Sequence, residues 1–411
     1  MSNTHSNLTL RLSLMMFFQF FIWGAWYTSI ATYMTELGMG SLTHWPYTVN
    51  PIAAIIAPFF LGMIADRYFA TEKVLGVLHV LGGILLFITP MTTGSPSLFI
   101  VMLLAYNLCY MPTLGLSNTL AFHNITDQEK QFPVIRVFGT IGWIVAGLTI
   151  SYVIGDLING IAEKTAWPLY TAAAASIMLG LYSFSLPHTP PKAKGEAVSF
   201  RNIAGIDAFK ALSSKAFYVF IICSFLICIP LAAYYNFTQL YLSASGFSNI
   251  AGTQTIGQMS EVIFMLLMPF FFVRLGIKKM LLFGMFAWVV RYALFAVAAP
   301  DAVTWMIIMG IALHGICYDF FFVAGQIYVD KKSNERIRGQ AQGFLVLVTY
   351  GLGMLIGAQI AGTVYNSFLG DQEALTAVQW QEFWWIPAGF ALLVMFVFAL
   401  FFKDKVDTEH A

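Results

Sequence analysis

Residues 57–73, APFFLGMIADRYFATEK, carry an apolar segment into a short turn that contains an acid, Asp66, and a base, Arg67. The first four residues recur in similar form as MPFF at 268–271, again followed by basic residues, and the two prolines are 269 − 58 = 211 residues apart. Two such stretches at this distance predict a unit that occurs once in each half of the chain.

The composition indicates that both units lie in a membrane. The chain has 411 residues, of which 59% are hydrophobic and 10% charged, and its mean hydropathy is +0.75. These values exclude a water-soluble globular protein and a disordered one. A net charge of +1 provides no basic surface for nucleic acid. The sequence therefore predicts an all-α polytopic membrane protein.

Apolar segments long enough to cross a bilayer, about 20 residues each, occur throughout the chain. We predict twelve transmembrane helices, near 12–34, 47–65, 74–93, 97–122, 134–155, 166–186, 216–243, 252–273, 280–298, 302–328, 341–366 and 381–402. A polar stretch with the Pro190-Pro191 breaker separates the first six from the last six. We therefore expect an N-terminal half at 1–187, a cytoplasmic linker at 188–215 and a C-terminal half at 216–411.

Lysine and arginine residues cluster at alternate ends of the predicted helices. They follow the second, fourth, eighth and tenth helices and occupy the linker, whereas the opposite loops carry Lys164 alone. Because positively charged loops stay in the cytoplasm, both termini are predicted to be cytoplasmic.

The fifth and eleventh predicted helices are rich in glycine, which lets helices pack closely or slide against their neighbours. These glycines are Gly139, Gly142 and Gly147 in the fifth helix and Gly351, Gly353, Gly357 and Gly362 in the eleventh. Two matched halves with closely packed helices are typical of alternating-access transporters, whose substrate site lies near the middle of the membrane.

Four ionisable residues lie at membrane depth, where a charge costs at least a few kcal/mol. They are Arg136, Glu261, Arg291 and Asp319. Thr140 and Trp143 follow Arg136 at i+4 and i+7, so the three share one helix face, and Gln258 precedes Glu261 by one turn. We interpret these two faces as walls of a substrate pocket.

Structural roles are the alternative for the same residues. Arg136 and Glu261 could form a buried pair that only holds the two halves together. Asp319 could pair with Arg291, or with charges at the cytoplasmic end of its helix. We interpret Arg291 as structural because nothing polar repeats on its helix face. The two membrane histidines could relay protons, but we expect hydrogen-bonded packing roles for both; they are His79 and His314.

Aromatic rings alternate with amide side chains in two of the predicted helices. The first helix places Gln19, Trp23 and Trp26 at i, i+4 and i+7, with Tyr27 adjacent, and the seventh places Tyr235 and Gln239 one turn apart. Rings that stack and amides that hydrogen bond would suit a flat, uncharged ligand such as a nucleobase.

The turn GMIADR at 62–67, followed by Glu72-Lys73, resembles the signature turn of the major facilitator superfamily, G-x-L-a-D-r. In that superfamily the acid and the base latch neighbouring helices in the outward-open state, so the resemblance implies this role for Asp66 and Arg67. The turn has one lysine where the common form has a basic cluster, which implies a weaker latch.

Further stretches resemble the nucleoside:proton symporter family of bacterial nucleoside permeases over essentially the whole chain. They are YMPTLGLSNT at 110–119, FPVIRVFGTIG at 132–142, GIDAF at 205–209, QMSE at 258–261 and YDFF at 318–321. The resemblance implies a substrate site between the halves, with contacts from Arg136, Thr140, Gln258, Glu261, Tyr318 and Phe322. Trp143 stands where the best-known members have phenylalanine, and Ala232 and Tyr235 stand where amide side chains are expected.

We therefore predict a transporter of the major facilitator fold in a bacterial inner membrane that imports a nucleoside with a proton by alternating access. The candidate proton carriers are Glu261 and Asp319, because burial and neighbouring charges change the proton affinity of a carboxylate. No ATP-binding GxxxxGK[ST] motif occurs, and no HExxH or GxSxG motif predicts an enzyme.

We predict no cofactor and no metal. The expected partners are the nucleoside, the proton and the lipid bilayer, and the protein is expected to be a monomer. One alternative is a symporter of the same fold for another polar metabolite, such as a sugar or a glycoside. A non-transporting membrane sensor is the other alternative, but the linker is too short to hold a signalling domain.

Overall fold

The computed structural model describes residues 2–61, 68–191, 204–334 and 337–403. Every regular element in these ranges is helical. The α-helices are α1 (Ser2–Tyr27), α2 (Ile30–Glu36), α3 (Trp45–Phe60), α4 (Thr71–Ile88), α5 (Pro96–Asn124), α6 (Gln128–Leu148), α7 (Gly155–Ile158), α8 (Trp167–Ser183), α9 (Ile206–Ala211), α10 (Lys215–Ala244), α11 (Ile250–Ala298), α12 (Thr304–Ala312), α13 (His314–Tyr318), α14 (Ala324–Lys332), α15 (Arg338–Val346), α16 (Met354–Leu369) and α17 (Ala377–Phe401). Three π-helical turns connect helices in line: Thr149–Ile154, Asp319–Val323 and Leu347–Gly353.

The predicted twelve-helix membrane fold is confirmed. Within the described ranges, nine helical segments are long and apolar enough to cross a membrane. One of them, α11, provides two crossings, because Gly276 (φ +66°) interrupts its 49 residues with a backbone conformation that glycine adopts readily. The shorter α3 and α8, with 16 and 17 residues, bring the total to twelve.

Side-chain caps determine where several of these helices begin. Ser214 precedes α10 and accepts a hydrogen bond from the amide of Phe217 at 3.2 Å. Thr376 precedes α17 and forms a capping box with Gln379, in which each side chain bonds the other residue's backbone. These caps satisfy amide groups at helix starts, which have no partner within the helix.

The chain forms two units. The N-terminal unit comprises Met1–Met39, Ile52–Val198 and Ser248–Thr255, and the C-terminal unit comprises Gly40–Pro51, Ser199–Phe247 and Ile256–Ala411. Each unit therefore includes a short segment that lies apart from the rest of it in the sequence.

The N-terminal unit holds the start of α11 through a carboxylate and a hydroxyl. Glu163 is fully buried and accepts hydrogen bonds from the hydroxyl of Ser151 and from the amide of Ala251, the latter at 2.9 Å. Ser151 in turn accepts from the amide of Gly252 at 2.7 Å. Glu163 and Ser151 thus cap the second and third residues of a helix to which they are not adjacent in sequence.

The C-terminal unit holds the segment that leads into α3. Asn366 donates to the carbonyl of Ser41 at 2.9 Å, and Gln359 donates to the hydroxyl of Thr48 at 2.7 Å. Gln239 donates to the hydroxyl of Tyr47. These amide side chains come from α16 and α10, which explains why residues 40–51 belong to this unit.

The close packing predicted from glycines is confirmed at six of the seven positions. A Cβ atom on Gly142 would lie 2.1 Å from the carbonyl oxygen of Phe17, so α6 fits against α1 only because this residue is glycine. In the C-terminal unit, a Cβ atom on Gly357 would lie 2.9 Å from the Cβ of Ala232. The other four are Gly139, Gly147, Gly353 and Gly362.

Asp66 and Arg67, the predicted latch, lie outside the described residues. Glu72, which follows them at the start of α4, has a side chain exposed by only 5%. Its two oxygens pair with the Nδ1 atom of His188 and accept from the amide of Thr189, each at 2.9 Å. Glu72 therefore holds the first residues of the linker within the N-terminal unit.

Candidate functional site

Arg136 is the central polar residue of the N-terminal unit's predicted pocket wall. It lies on α6, is partly buried, and its guanidinium carbon is 4.2 Å from the centroid of the Phe20 ring on α1. This distance is typical of a cation–π interaction. No residue in the described part of this unit accepts a hydrogen bond from the guanidinium, which carries five N–H donors.

Trp143 lies two turns beyond Arg136 in an aromatic cluster. Its ring centroid is 5.5 Å from that of Trp23 and 6.2 Å from that of Tyr27, both on α1. Tyr110 of α5 completes the cluster, 5.8 Å from Trp23. Thr140 lies between Arg136 and Trp143 on α6 and is also partly buried. The predicted face of α6 therefore meets the rings of α1.

Two of the three residues that share a face of α1 in the sequence pattern, Gln19 and Trp26, have a different role. Gln19 is fully buried, donates to Thr113 at 2.7 Å and bonds the Nε2 atom of His79 at 2.9 Å, so its amide is used inside the unit. Trp26 is also fully buried and donates to the hydroxyl of Tyr106. The interpretation of Gln19 and Trp26 as ligand contacts is therefore wrong, because both side chains face the core between helices.

The expected packing role of His79 is confirmed. Its Nδ1 atom lies 3.2 Å from the hydroxyl of Ser176, while Nε2 bonds Gln19. The Ser176 hydroxyl also donates to the His79 carbonyl at 2.8 Å. Both ring nitrogens thus have partners from neighbouring helices.

In the C-terminal unit, α11 and α13 pack closely because each presents a glycine to the other. A Cβ atom on Gly257 would lie 3.1 Å from the Cβ of His314, and one on Gly315 would lie 2.5 Å from the backbone of Ser260. Four predicted site residues lie on this helix pair and the turn that follows it. They are Gln258 and Glu261 on α11, Tyr318 at the end of α13, and Asp319 directly after it.

Asp319 begins a π-helical turn and is completely buried. Neither of its carboxylate oxygens has a hydrogen-bond partner among the described residues. Glu261 is partly buried and lies near enough for the two charges to interact. The two candidate proton carriers are thus neighbours in one unit.

Tyr318 and Phe322 form an aromatic group with a residue that the sequence did not single out, Tyr350. The rings of Tyr318 and Phe322 are 5.3 Å apart, and the Tyr350 ring is 5.7 Å from Phe322. The hydroxyls of Tyr318 and Tyr350 share a hydrogen bond. The sole sequence signal for Tyr350 is a hydroxyl within an apolar, glycine-rich helix.

Arg291 has the structural role predicted for it. It is fully buried, its Nε atom donates to the carbonyl of Gly310 at 2.8 Å, and its guanidinium carbon is 3.5 Å from the centroid of Tyr234. A second nitrogen donates to the carbonyl of Ile311 at 3.4 Å. Its partners are thus two carbonyls and a ring, and the alternative in which Asp319 pairs with Arg291 is not supported. His314 stacks on Tyr234 at 5.5 Å, but its Nδ1 atom has no partner in the described part of the chain, so the expected hydrogen bond is wrong there.

Tyr235 is partly buried and lies beside the same histidine. Its ring is edge-on to His314, with centroids 6.1 Å apart, and it contacts Tyr234 at 5.6 Å. Gln239, one turn further along α10, is fully buried and bonded to Tyr47. Of the two residues that the pattern in α10 combined, Tyr235 therefore contacts His314, whose ring in turn lies 5.7 Å from that of Tyr318, and Gln239 contacts Tyr47.

The twelve apolar helices of the described residues, with ionisable side chains within them in both units, are those of a multi-pass membrane transporter of the major facilitator fold. The chain belongs to the nucleoside H+ symporter family, whose model matches residues 6–407. It is therefore a transporter and not an enzyme.

Relatives match this chain over nearly its full length. It is 40% identical over 406 residues to the YegT protein of Escherichia coli (strain K12), and the aligned residues cover 98% of this chain and 95% of YegT. It is 33% identical over 416 residues to the nucleoside permease NupG of the same organism, covering 97% of each. The crystal structure of the nucleoside transporter NupG superposes with a TM-score of 0.85 at 31% identity, covering 97% of this chain and 100% of that one.

Proposed function

We propose that this protein imports nucleosides together with protons across the bacterial cytoplasmic membrane by alternating access. The observation that carries this proposal is the match to the nucleoside H+ symporter family over residues 6–407. Both termini lie on the cytoplasmic side, because the basic loops stay there, and the protein acts as a monomer in the bilayer.

Each unit contributes a different set of ligand contacts. In the N-terminal unit, Arg136 and Thr140 supply hydrogen bonds and Trp143 supplies a ring for stacking. The guanidinium of Arg136 lies over the Phe20 ring, and no described residue of its own unit accepts a hydrogen bond from it. This supports the role, since a cation at membrane depth is costly unless something binds it. The contacts from the C-terminal unit are Tyr235, Gln258, Glu261, Tyr318 and Phe322.

Glu261 and Asp319 carry the proton. Their proximity to each other and to Tyr318 supports a coupling in which substrate binding changes the proton affinity of the pair. One proton that crosses at about 150 mV provides roughly 3.5 kcal/mol, which supports about 300-fold accumulation of a neutral substrate. Asp66 and Arg67 form the cytoplasmic latch of one access state.

Uptake of labelled uridine into proteoliposomes tests this function. We expect accumulation when an inward proton gradient is imposed and none when a protonophore dissipates it, with protein-free liposomes as the control. A panel of unlabelled competitors then defines the substrate class: other nucleosides should compete, and maltose and glucose should not. Competition by sugars without uptake of any nucleoside would contradict the proposal and favour the sugar symporter.

A further inference from the structure

Two π-helical turns of the C-terminal unit meet through a pair of tyrosines. Tyr350 lies in the turn Leu347–Gly353, and Tyr318 directly precedes the turn Asp319–Val323. The hydrogen bond between their hydroxyls joins these two turns. Because π-helical turns are rare and occur frequently at functional sites, a polar contact between a residue of one such turn and the residue that precedes another indicates a role beyond packing.

The ring and the hydroxyl of Tyr318 each contact neighbouring side chains. Its ring lies between His314, at 5.7 Å, and Phe322, at 5.3 Å. Its hydroxyl bonds Tyr350, and the Tyr350 ring also contacts Phe322 at 5.7 Å. Tyr350 therefore touches both of the residues in this aromatic group that we assign to the substrate site.

Backbone packing holds Tyr350 in place. A Cβ atom on Gly353 would lie 2.8 Å from the Cβ of Cys228, so this wide turn rests directly against α10. The hydroxyl of Thr349, next to Tyr350, donates to the carbonyl of Leu345 at 2.7 Å. A side chain on such a fixed turn can orient a neighbour.

We propose that Tyr350 is a positioning residue that orients the Tyr318 hydroxyl and the Phe322 ring for substrate recognition. The inference rests on the proposed function. A tyrosine hydroxyl donates one hydrogen bond and accepts others, so the bond to Tyr350 decides which of these capacities Tyr318 presents to the ligand. Neutral ligands with hydroxyl and carbonyl groups, such as nucleosides, match either capacity.

Single-atom deletions test the inference. In Tyr350→Phe the ring stays and the hydroxyl is lost, and we expect the Kd and KM for uridine to rise about tenfold, equivalent to about 1.4 kcal/mol, with kcat within about twofold of wild type. Tyr318→Phe should show a similar loss. The double variant should be no worse than the weaker-binding single variant, because both changes remove one shared interaction.

Tyr241→Phe is the matched control. Tyr241 is a buried tyrosine of the same unit whose hydroxyl donates to the carbonyl of Phe295 at 2.9 Å, away from this group. It loses one hydroxyl hydrogen bond, and its Kd should remain that of wild type. Thermal unfolding of every variant shows whether the protein remains folded. Tyr350→Leu, which also removes the ring beside Phe322, should bind more weakly than Tyr350→Phe.

Three results would overturn the inference: wild-type affinity in Tyr350→Phe, additive losses in the double variant, or an equal loss of affinity in Tyr241→Phe. Each of these leaves the proposed function intact, because the wild-type protein still binds and transports uridine. A wild-type protein that binds no nucleoside would overturn the proposed function and, with it, the role of Tyr350.

Discussion

Two arginines at membrane depth differ in what satisfies them. Arg291 is enclosed, and it bonds the carbonyl of Gly310 while it stacks on Tyr234. Arg136 is partly buried and rests on a single ring, that of Phe20. Because a guanidinium in a low-dielectric site needs hydrogen-bond partners, this difference supports the proposal that Arg291 holds helices and that Arg136 meets a ligand.

The first prediction concerns Arg136→Ala. We expect the Kd for uridine to increase roughly 10- to 100-fold, since a hydrogen bond to a charged group contributes about 1.5–3 kcal/mol. The unfolding temperature should stay near that of wild type, because no described residue of this unit depends on the guanidinium for a hydrogen bond. Calorimetric titration and thermal unfolding in detergent measure the two quantities.

Arg274→Ala provides the matched control for Arg136→Ala. The guanidinium carbon of Arg274 also lies over a ring, 3.6 Å from the centroid of Phe270, but the residue is exposed and remote from the predicted site residues. Its loss should leave uridine affinity unchanged. Unaltered binding in Arg136→Ala would remove this residue from the substrate site.

At the scale of helices, packing depends on glycines whose hydrogen atoms face a neighbouring backbone. Gly142 is the strictest case, since its Cβ position lies 2.1 Å from the Phe17 carbonyl oxygen. Gly142→Ala should force α6 away from α1, and overpacking of this kind costs about 1–3 kcal/mol. We expect the unfolding temperature to fall by several degrees. Gly389→Ala in α17, where no atom lies within 4 Å of the Cβ position, should leave it unchanged or raise it.

The start of α11 depends on caps that are distant in sequence. Glu163→Ala removes the acceptor for the Ala251 amide, so we expect hydrogen exchange over residues 250–256 to accelerate about tenfold or more, the equivalent of losing about 1–2 kcal/mol of capping. Ser151→Ala should act in the same way on Gly252. Asp156→Ala, at an exposed acid near the same loop, should leave this exchange unchanged. Unaltered exchange in both cap variants would show that the helix start is stable without them.

The sequence predicts the positions of the helices, but it predicts only in part which residues each helix face contacts. Length and apolar content predict each crossing because every backbone group in a bilayer must be bonded within a helix. Spacing then shows that Gln19, Trp23 and Trp26 share a face, but it does not show what lies opposite. Trp23 meets Trp143, whereas Gln19 and Trp26 face core partners.

Long-range polar contacts account for the residues that sequence reasoning missed. Glu163 stands in a loop, where an acid usually faces water, yet it is buried against the start of α11. In the sequence, Tyr350 is one hydroxyl in an apolar helix. In the structure it lies in a π-helical turn and its hydroxyl bonds that of Tyr318. Both depend on pairs of residues more than ten positions apart, for which helical periodicity carries no information.

For the molecule as a whole, the main question is whether Glu261 or Asp319 couples proton movement to transport, as we propose. Asp319 is buried without hydrogen-bond partners in the described part of the chain, and Glu261 is partly buried beside it. The two carboxyl groups lie near enough for their charges to interact. Substitution of each residue in turn separates their roles.

Glu261→Gln fixes a neutral mimic of the protonated form while the amide retains hydrogen-bonding capacity. We expect this variant to bind uridine and to exchange it across the membrane, but not to accumulate it when an inward proton gradient is imposed. Loss of coupling without loss of binding would point to charge rather than shape. Calorimetric binding, counterflow exchange and gradient-driven uptake in proteoliposomes measure the three properties, with Asp319→Asn as the matched variant. Accumulation that survives in Glu261→Gln but vanishes in Asp319→Asn would assign the proton to Asp319, and accumulation that survives in both would rule out a carboxylate carrier.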